Sequence, residues 1–106
     1  MRAKPSKDGT FKDFVLDQLD GIGSLRVRGM FGGFGLYSGE AFFAIVMKGR
    51  LYFKTDAGTR AAYVERGMKP FRPNAKQSLT SYYEVPLEII EDAAQLTAWA
   101  RAAARG

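Results

Sequence analysis

Neither cysteine nor histidine occurs in this 106-residue sequence, and the two absences remove whole classes of chemistry. Without cysteine there are no disulfides and no thiolate metal sites, although the redox compartment stays open because secreted proteins can lack cysteine too. Without histidine the chain has no side chain of the type most used as a general acid or base near neutral pH, which is also the commonest metal ligand. Ser-His-Asp and Cys-His catalysis are impossible, and so are ordinary zinc sites. An enzyme built from this chain would have to work with carboxylates, Lys, Tyr or a metal held by oxygen. The expectation is a protein that is not an enzyme and uses no cofactor or metal. Long apolar runs are missing as well: no stretch of about 18 apolar residues is available to span a bilayer, and the polar N-terminus lacks the apolar segment of a secretion signal. A cytoplasmic location without membrane contact is expected.

Acidic residues are the third scarcity. Eleven Asp and Glu face sixteen Lys and Arg, giving a formal charge of +5 and a sequence pI near 9.7, a balance that favours anionic partners. The excess is uneven. Residues 48–76 hold eight basic side chains against Asp56 and Glu65, whereas residues 81–106 hold two Arg against four acids. Charge that merely keeps a small protein soluble competes with a nucleic-acid footprint as its explanation.

What is present describes one folded domain over residues 1–106, since 46% hydrophobic and 13% aromatic residues exceed what a disordered chain carries. Residues 1–8, MRAKPSKD, read as a loose polar arm. Phe11, Phe14, Val15 and Leu19 recur at helical spacing over Thr10 to Asp20, with Thr10 and Asp13 as a weak capping box and Gly21 as the stop. The period then changes to that of strands over 25–31, 34–37, 41–47 and 51–54. Connections this short permit only antiparallel neighbours, so the four segments predict a meander. Asp56 can cap a helix over 57–66 that Gly67 ends. Residues 68–77, broken by Pro70, Pro73 and Asn74, read as an irregular or edge segment, and 79–85 as a strand. Pro86 opens a helical turn at 87–90, and Asp92 with Gln95 caps a last helix through Ala103, in which Trp99 serves as a core anchor.

The fold class is therefore α+β: two layers, with helices packed on an antiparallel sheet, in the order helix, four strands, helix, one or two strands, helix. Strict alternation along AFFAIVM points Phe42, Ala44 and Val46 one way and Phe43, Ile45 and Met47 the other. One set meets the helices. The other faces water unless something covers it, which predicts a self-associating or partner-binding surface.

The stretch from Arg28 to Gly39, RGMFGGFGLYSG, packs five glycines among three aromatic residues. No Lys-Ser or Lys-Thr follows to make a phosphate loop, and the dinucleotide spacing G-x-G-x-x-G misses by one place. Ser38 in Gly35-Leu36-Tyr37-Ser38-Gly39 stands one position off a nucleophile elbow. Arg28-Gly29-Met30-Phe31 comes near an RNA-recognition strand but is out of step in its aromatic alternation. A hairpin remains, with Gly32-Gly33 taking the positive φ angles of a two-residue turn and Gly29 and Gly35 leaving gaps beside Phe31 and Phe34.

Arg28-Gly29-Met30-Phe31-Gly32-Gly33-Phe34-Gly35-Leu36-Tyr37, then Phe43-Ala44-Ile45, Leu51-Tyr52-Phe53-Lys54-Thr55-Asp56 and Ser81-Tyr82-Tyr83-Glu84-Val85-Pro86, together resemble the N-terminal domain of the TfoX/Sxy proteins, regulators of competence for DNA uptake. The likeness runs from about Phe11 to Ala103, and the Met-Phe-Gly-Gly box combined with Tyr-Tyr-Glu-Val-Pro is its specific part. It implies a bacterial, non-enzymatic protein of the same two-layer fold, related to transcriptional regulators. Full-length TfoX regulators carry a further helical domain, so the resemblance is to a stand-alone version of the first. It implies no catalytic residues.

Three functions are weighed on these residues. The first is a regulatory or interaction module, a homodimer or the holder of a protein partner, with contacts from Phe31, Phe34, Tyr37, Phe43, Ile45 and Tyr52. The second is direct DNA or RNA binding through Arg26, Arg28, Lys48, Arg50, Lys54, Lys69, Arg72 and Lys76, with Tyr52 or Tyr82 as stacking surfaces. The third is an enzyme or small-ligand binder using Lys54 with Asp56, or Glu84 with Tyr82, as an acid–base pair. Ordinary core packing and solvated charge are the competing explanations for each residue.

Overall fold

A computed structural model describes residues 7–30, 32–74 and 77–105, without the side chains of 7–9, 30, 73, 74 and 77–80. The elements run α1 (Lys7–Gln18), β1 (Leu25–Met30), β2 (Gly33–Ser38), β3 (Ala41–Met47), β4 (Arg50–Lys54), α2 (Ala57–Glu65), β5 (Pro70–Asn74), β6 (Gln77–Glu84), α3 (Leu87–Ile90) and α4 (Ala93–Arg105). The strands make one antiparallel sheet in the order β1-β2-β3-β4-β6-β5. On one face α4 crosses β3 and β4, α1 lies on β3, α2 on β6, and α3 packs against α4. This is the two-layer α+β architecture that the periodicity implies.

Turn chemistry enforces the meander. Lys48 and Gly49, between β3 and β4, both have positive φ, 54° and 74°, as a two-residue hairpin matched to strand twist requires. The β1–β2 turn sits one residue earlier than expected. Met30 pairs with Gly33, so Gly33 already belongs to β2 and the turn glycine is Gly32, with φ 80°. Phe31 lies outside the described residues.

The register of β2 on β3 runs Phe34↔Val46, Gly35↔Ile45, Leu36↔Ala44 and then shifts to Tyr37↔Phe42. Phe43 is thereby the extra residue of a β-bulge, which breaks the alternation of strand faces. It joins Ala44 and Val46 in the helix-covered core, while Phe42 joins Ile45 and Met47 on the opposite face. The expected partition is corrected at these two residues.

Between the layers Val15, Leu19, Leu36, Phe43, Phe53 and Leu96 are fully buried, the burial that stabilises a domain of this size. The end of α1 is tied into it: Gln18 Nε2 donates to Ile90 O at 2.9 Å, and an Arg101 guanidinium N–H donates to Gly21 O at 3.1 Å. Helix α1 starts at Lys7, so residues 7 and 8 are not part of a loose arm; residues 1–6 lie outside the described set. Thr10 is inside the helix rather than at its cap, and its buried Oγ1 has no partner among the described residues. A lone Thr–Asp pair does not override a helix that extends a turn upstream. Phe14 stays 43% exposed, because it points about 100° away from Val15, which faces the sheet.

Candidate functional site

The sheet face away from the helices gathers most of the side chains singled out in the sequence. Cross-strand partners share a face, so the pairs Arg26↔Tyr37, Arg28↔Gly35, Tyr37↔Phe42, Ile45↔Tyr52, Lys54↔Tyr82 and Tyr52↔Glu84 put Arg26, Arg28, Tyr37, Ile45, Tyr52, Lys54, Tyr82 and Glu84 on one surface. Phe71 of β5 reaches the same surface, its ring edge-on to Tyr52 at 4.8 Å between centroids. Tyr37 meets Phe42 at 5.1 Å, and Phe42 meets Tyr82 at 5.5 Å. The Tyr82 hydroxyl donates to Phe42 O at 3.4 Å.

These rings cover the apolar residues beneath them. Ile45, Met47, Phe71 and Tyr82 form a second buried cluster, with Phe42 and Tyr52 half-buried against it. Two expectations are corrected here. The second face of β3 is not bare, and neither Phe43 nor Ile45 can serve as an exposed contact, since both are fully buried within one chain. Phe43 went to the other layer through the bulge; Ile45 is roofed by aromatic residues from β4, β5 and β6. Tyr37 and Tyr52 remain partly accessible. Phe34 packs half-buried against the main core, with the Lys12 ammonium 5.1 Å from its ring.

Sequence reasoning missed Phe42 as part of this surface, because no local signal announces a bulge, and missed Phe71 because Pro70 and Pro73 disguise its strand. Tyr83, from the same motif as Tyr82, faces the helices and packs near Tyr63. Pro86 caps α3 in extended conformation. The Met30 side chain lies outside the description.

The basic residues do not converge. Arg50 is paired with Glu84 at 3.0 and 3.2 Å, and Lys48 occupies the neighbouring turn. Lys69, just before β5, and Arg72 within it are exposed, at the opposite sheet edge from Arg26 and Arg28. Lys54 is half-buried beside Tyr82 and also borders a notch of about 200 Å³ between α2 and α4, where Tyr63 and Trp99 meet edge-on at 4.8 Å. Trp99 is thus a half-buried rim residue with the Arg66 guanidinium 5.3 Å from its ring, less enclosed than a core anchor. Lys76 lies outside the described residues.

Ionisation follows this packing. Burial raises the Tyr52 hydroxyl above its ordinary value, Glu84 adds to the rise and Arg50 opposes it. Burial, then Tyr37, raise Tyr82, and burial raises Tyr63 strongly. These phenols stay neutral at physiological pH. The carboxylates weighed as catalysts have structural duties: Asp56 accepts from Thr59 N at 2.9 Å as the cap of α2, and Glu84 holds Arg50. Arg26 and Arg28 differ from these. They are exposed, form no ion pair among the described residues, and border a hollow of about 230 Å³ with Tyr37, Gly39 and Glu40. Among the described residues no helix is long and apolar enough to cross a membrane.

Two comparisons bear on this geometry. The family model of the TfoX N-terminal domain matches residues 17–106. The DNA transformation protein TfoX1 of Aliivibrio fischeri is 33% identical over 66 residues, which span 60% of this chain and 32% of that protein.

Proposed function

Because the chain belongs to the TfoX N-terminal domain family, we propose that it is a non-enzymatic regulatory module that acts in the control of DNA transformation by holding another protein. Family membership carries this reading, and the name of the Aliivibrio fischeri relative supplies the process. The side-chain arrangement supports it. The rings of the open face are packed on one another rather than presented as a platform for bases, and the acidic groups considered for catalysis cap a helix or neutralise an arginine. The site of action in this reading is the cytoplasm, upstream of transcription.

A tagged chain in a native lysate tests the proposal by pull-down with and without nuclease. We expect a protein partner that survives nuclease treatment. A partner lost on nuclease treatment would instead favour direct DNA or RNA binding through the cations of residues 48–76, and recovery of the tagged chain alone would overturn the module reading.

A further inference from the structure

The two edges of the sheet are built differently. β5 carries Pro70 and Pro73, and its pairing with β6 is broken by two register shifts, devices that blunt an edge against further strands. β1 has neither device. It pairs with β2 in six unbroken steps from Leu25↔Ser38 to Met30↔Gly33, contains no proline, and is exposed from Arg26 to Gly29. In an antiparallel ladder every second residue of such an edge turns its N–H and C=O away from the sheet, so β1 offers a row of backbone donors and acceptors.

Charge decides what can use it. Arg26 and Arg28 stand on one face of β1, without an ion pair among the described residues, beside the hollow bordered by Glu40. On the other face are Leu25, half-buried, and Val27, 36% exposed. In the in-phase antiparallel registers centred on residues 26 to 28, a second copy of β1 would set arginine opposite arginine, a like-charge arrangement that opposes pairing. A strand with acids on one face and apolar residues on the other would match both rows.

We propose that β1 accepts, as a seventh strand, an extended acidic–apolar segment of a partner protein, with its carboxylates against Arg26 and Arg28 and its apolar side chains against Leu25 and Val27. The backbone ladder supplies affinity and the alternate side chains supply selectivity. This rests on the interaction-module reading and names the chemistry of its partner.

The test uses the 106-residue chain and two synthetic peptides of alternating residues, Glu-Val and Lys-Val. Amide hydrogen exchange is read by NMR at residues 25–29. The Glu-Val peptide is expected to slow exchange at alternate β1 amides, and the Lys-Val peptide to leave them unchanged. The double variant Arg26→Glu, Arg28→Glu is expected to bind Glu-Val about tenfold more weakly or worse, and to gain Lys-Val binding. Both side chains are exposed, and thermal unfolding checks that the fold persists. Val27→Pro, which deletes a strand donor, should abolish both signals.

Unchanged β1 exchange at saturating Glu-Val peptide overturns the proposal, as does protection that grows with the protein's own concentration, or a short duplex DNA that protects β1 when the peptide does not. A nuclease-resistant partner combined with an unprotected β1 would sink this inference while leaving the module reading intact. Protection by the peptide with no partner in the lysate would do the reverse.

Discussion

At the scale of single residues, the glycines of the Met-Phe-Gly-Gly box do unequal work. Gly32 is held at φ 80°, a conformation that costs other residues energy. Gly33 is not among the positive-φ glycines, yet a Cβ there would overlap Val46 O and sit 3.2 Å from Met47 Cβ, because β3 passes close behind it. Gly29 is different again, since a Cβ would meet only Gly33 O at 4.0 Å. Gly33→Ala should therefore lower stability by about 1–3 kcal/mol, the range of overpacking against unyielding backbone, while Gly29→Ala should stay within about 0.5 kcal/mol of the parent. Urea unfolding of the two variants measures the difference, and equal effects would contradict the close approach. That the box makes a hairpin was readable from its glycines. Which glycine serves the turn and which the packing was not, because the second depends on a strand more than ten residues away.

At the scale of elements, short-range chemistry was the legible part. The Asp56 cap was readable in the sequence, and the structure adds Thr59 as its partner in a capping box: Thr59 N donates to Asp56 Oδ1 at 2.9 Å, and Asp56 N donates to Thr59 Oγ1 at 3.0 Å. Asp92 likewise accepts from Gln95 Nε2 at 2.8 Å and Gln95 N at 3.1 Å at the head of α4. The start of α1 and the bulge in β3 escaped, since neither is marked by a local residue pattern; tertiary packing decides them. The hydrogen bond from Thr59 N, more than any other contact, holds the Asp56 carboxyl below its ordinary 3.8, and Gln95 does the same for Asp92, its side-chain amide first.

A depressed folded value gives stability that is complete above the unfolded value and lost as pH falls through the folded one. Asp56→Ala should lower the melting temperature at pH 7, with the deficit shrinking as pH falls below 3.8 to the smaller part that the neutral carboxyl's acceptor oxygen still contributes. Asp56→Asn, which keeps an acceptor without a charge, should show a smaller deficit at pH 7 and no titration from this site. Melting curves across pH 2–7 check both, and a deficit independent of pH in Asp56→Ala would mean that the cap acts without its charge.

At the scale of the whole molecule, the sequence disclosed how much positive charge there is but not where it goes. Arg26 and Arg28 on β1 and Arg72 on β5 occupy opposite edges of six strands, about 24 Å apart at ordinary strand spacing. That is beyond the Debye length of about 8 Å in physiological salt, so exposed charges at the two edges are largely screened from one another. Arg50 is already neutralised by Glu84, and Lys54 is half-buried at the far end of β4 from Lys48. A nucleic-acid backbone laid along either edge would collect a minority of the eight cations weighed for that role.

Counterion release turns this into a number. Eight phosphate contacts on duplex DNA predict a slope of log affinity against log salt of about −7, and three predict about −3. Fluorescence anisotropy with a short labelled duplex between 50 and 200 mM salt, concentrations chosen to bracket the regime where release dominates, should give weak binding and the shallow slope. A slope near the steep value would require the cations to act as one surface, which the opposed edges and the Arg50–Glu84 pair do not allow in this fold.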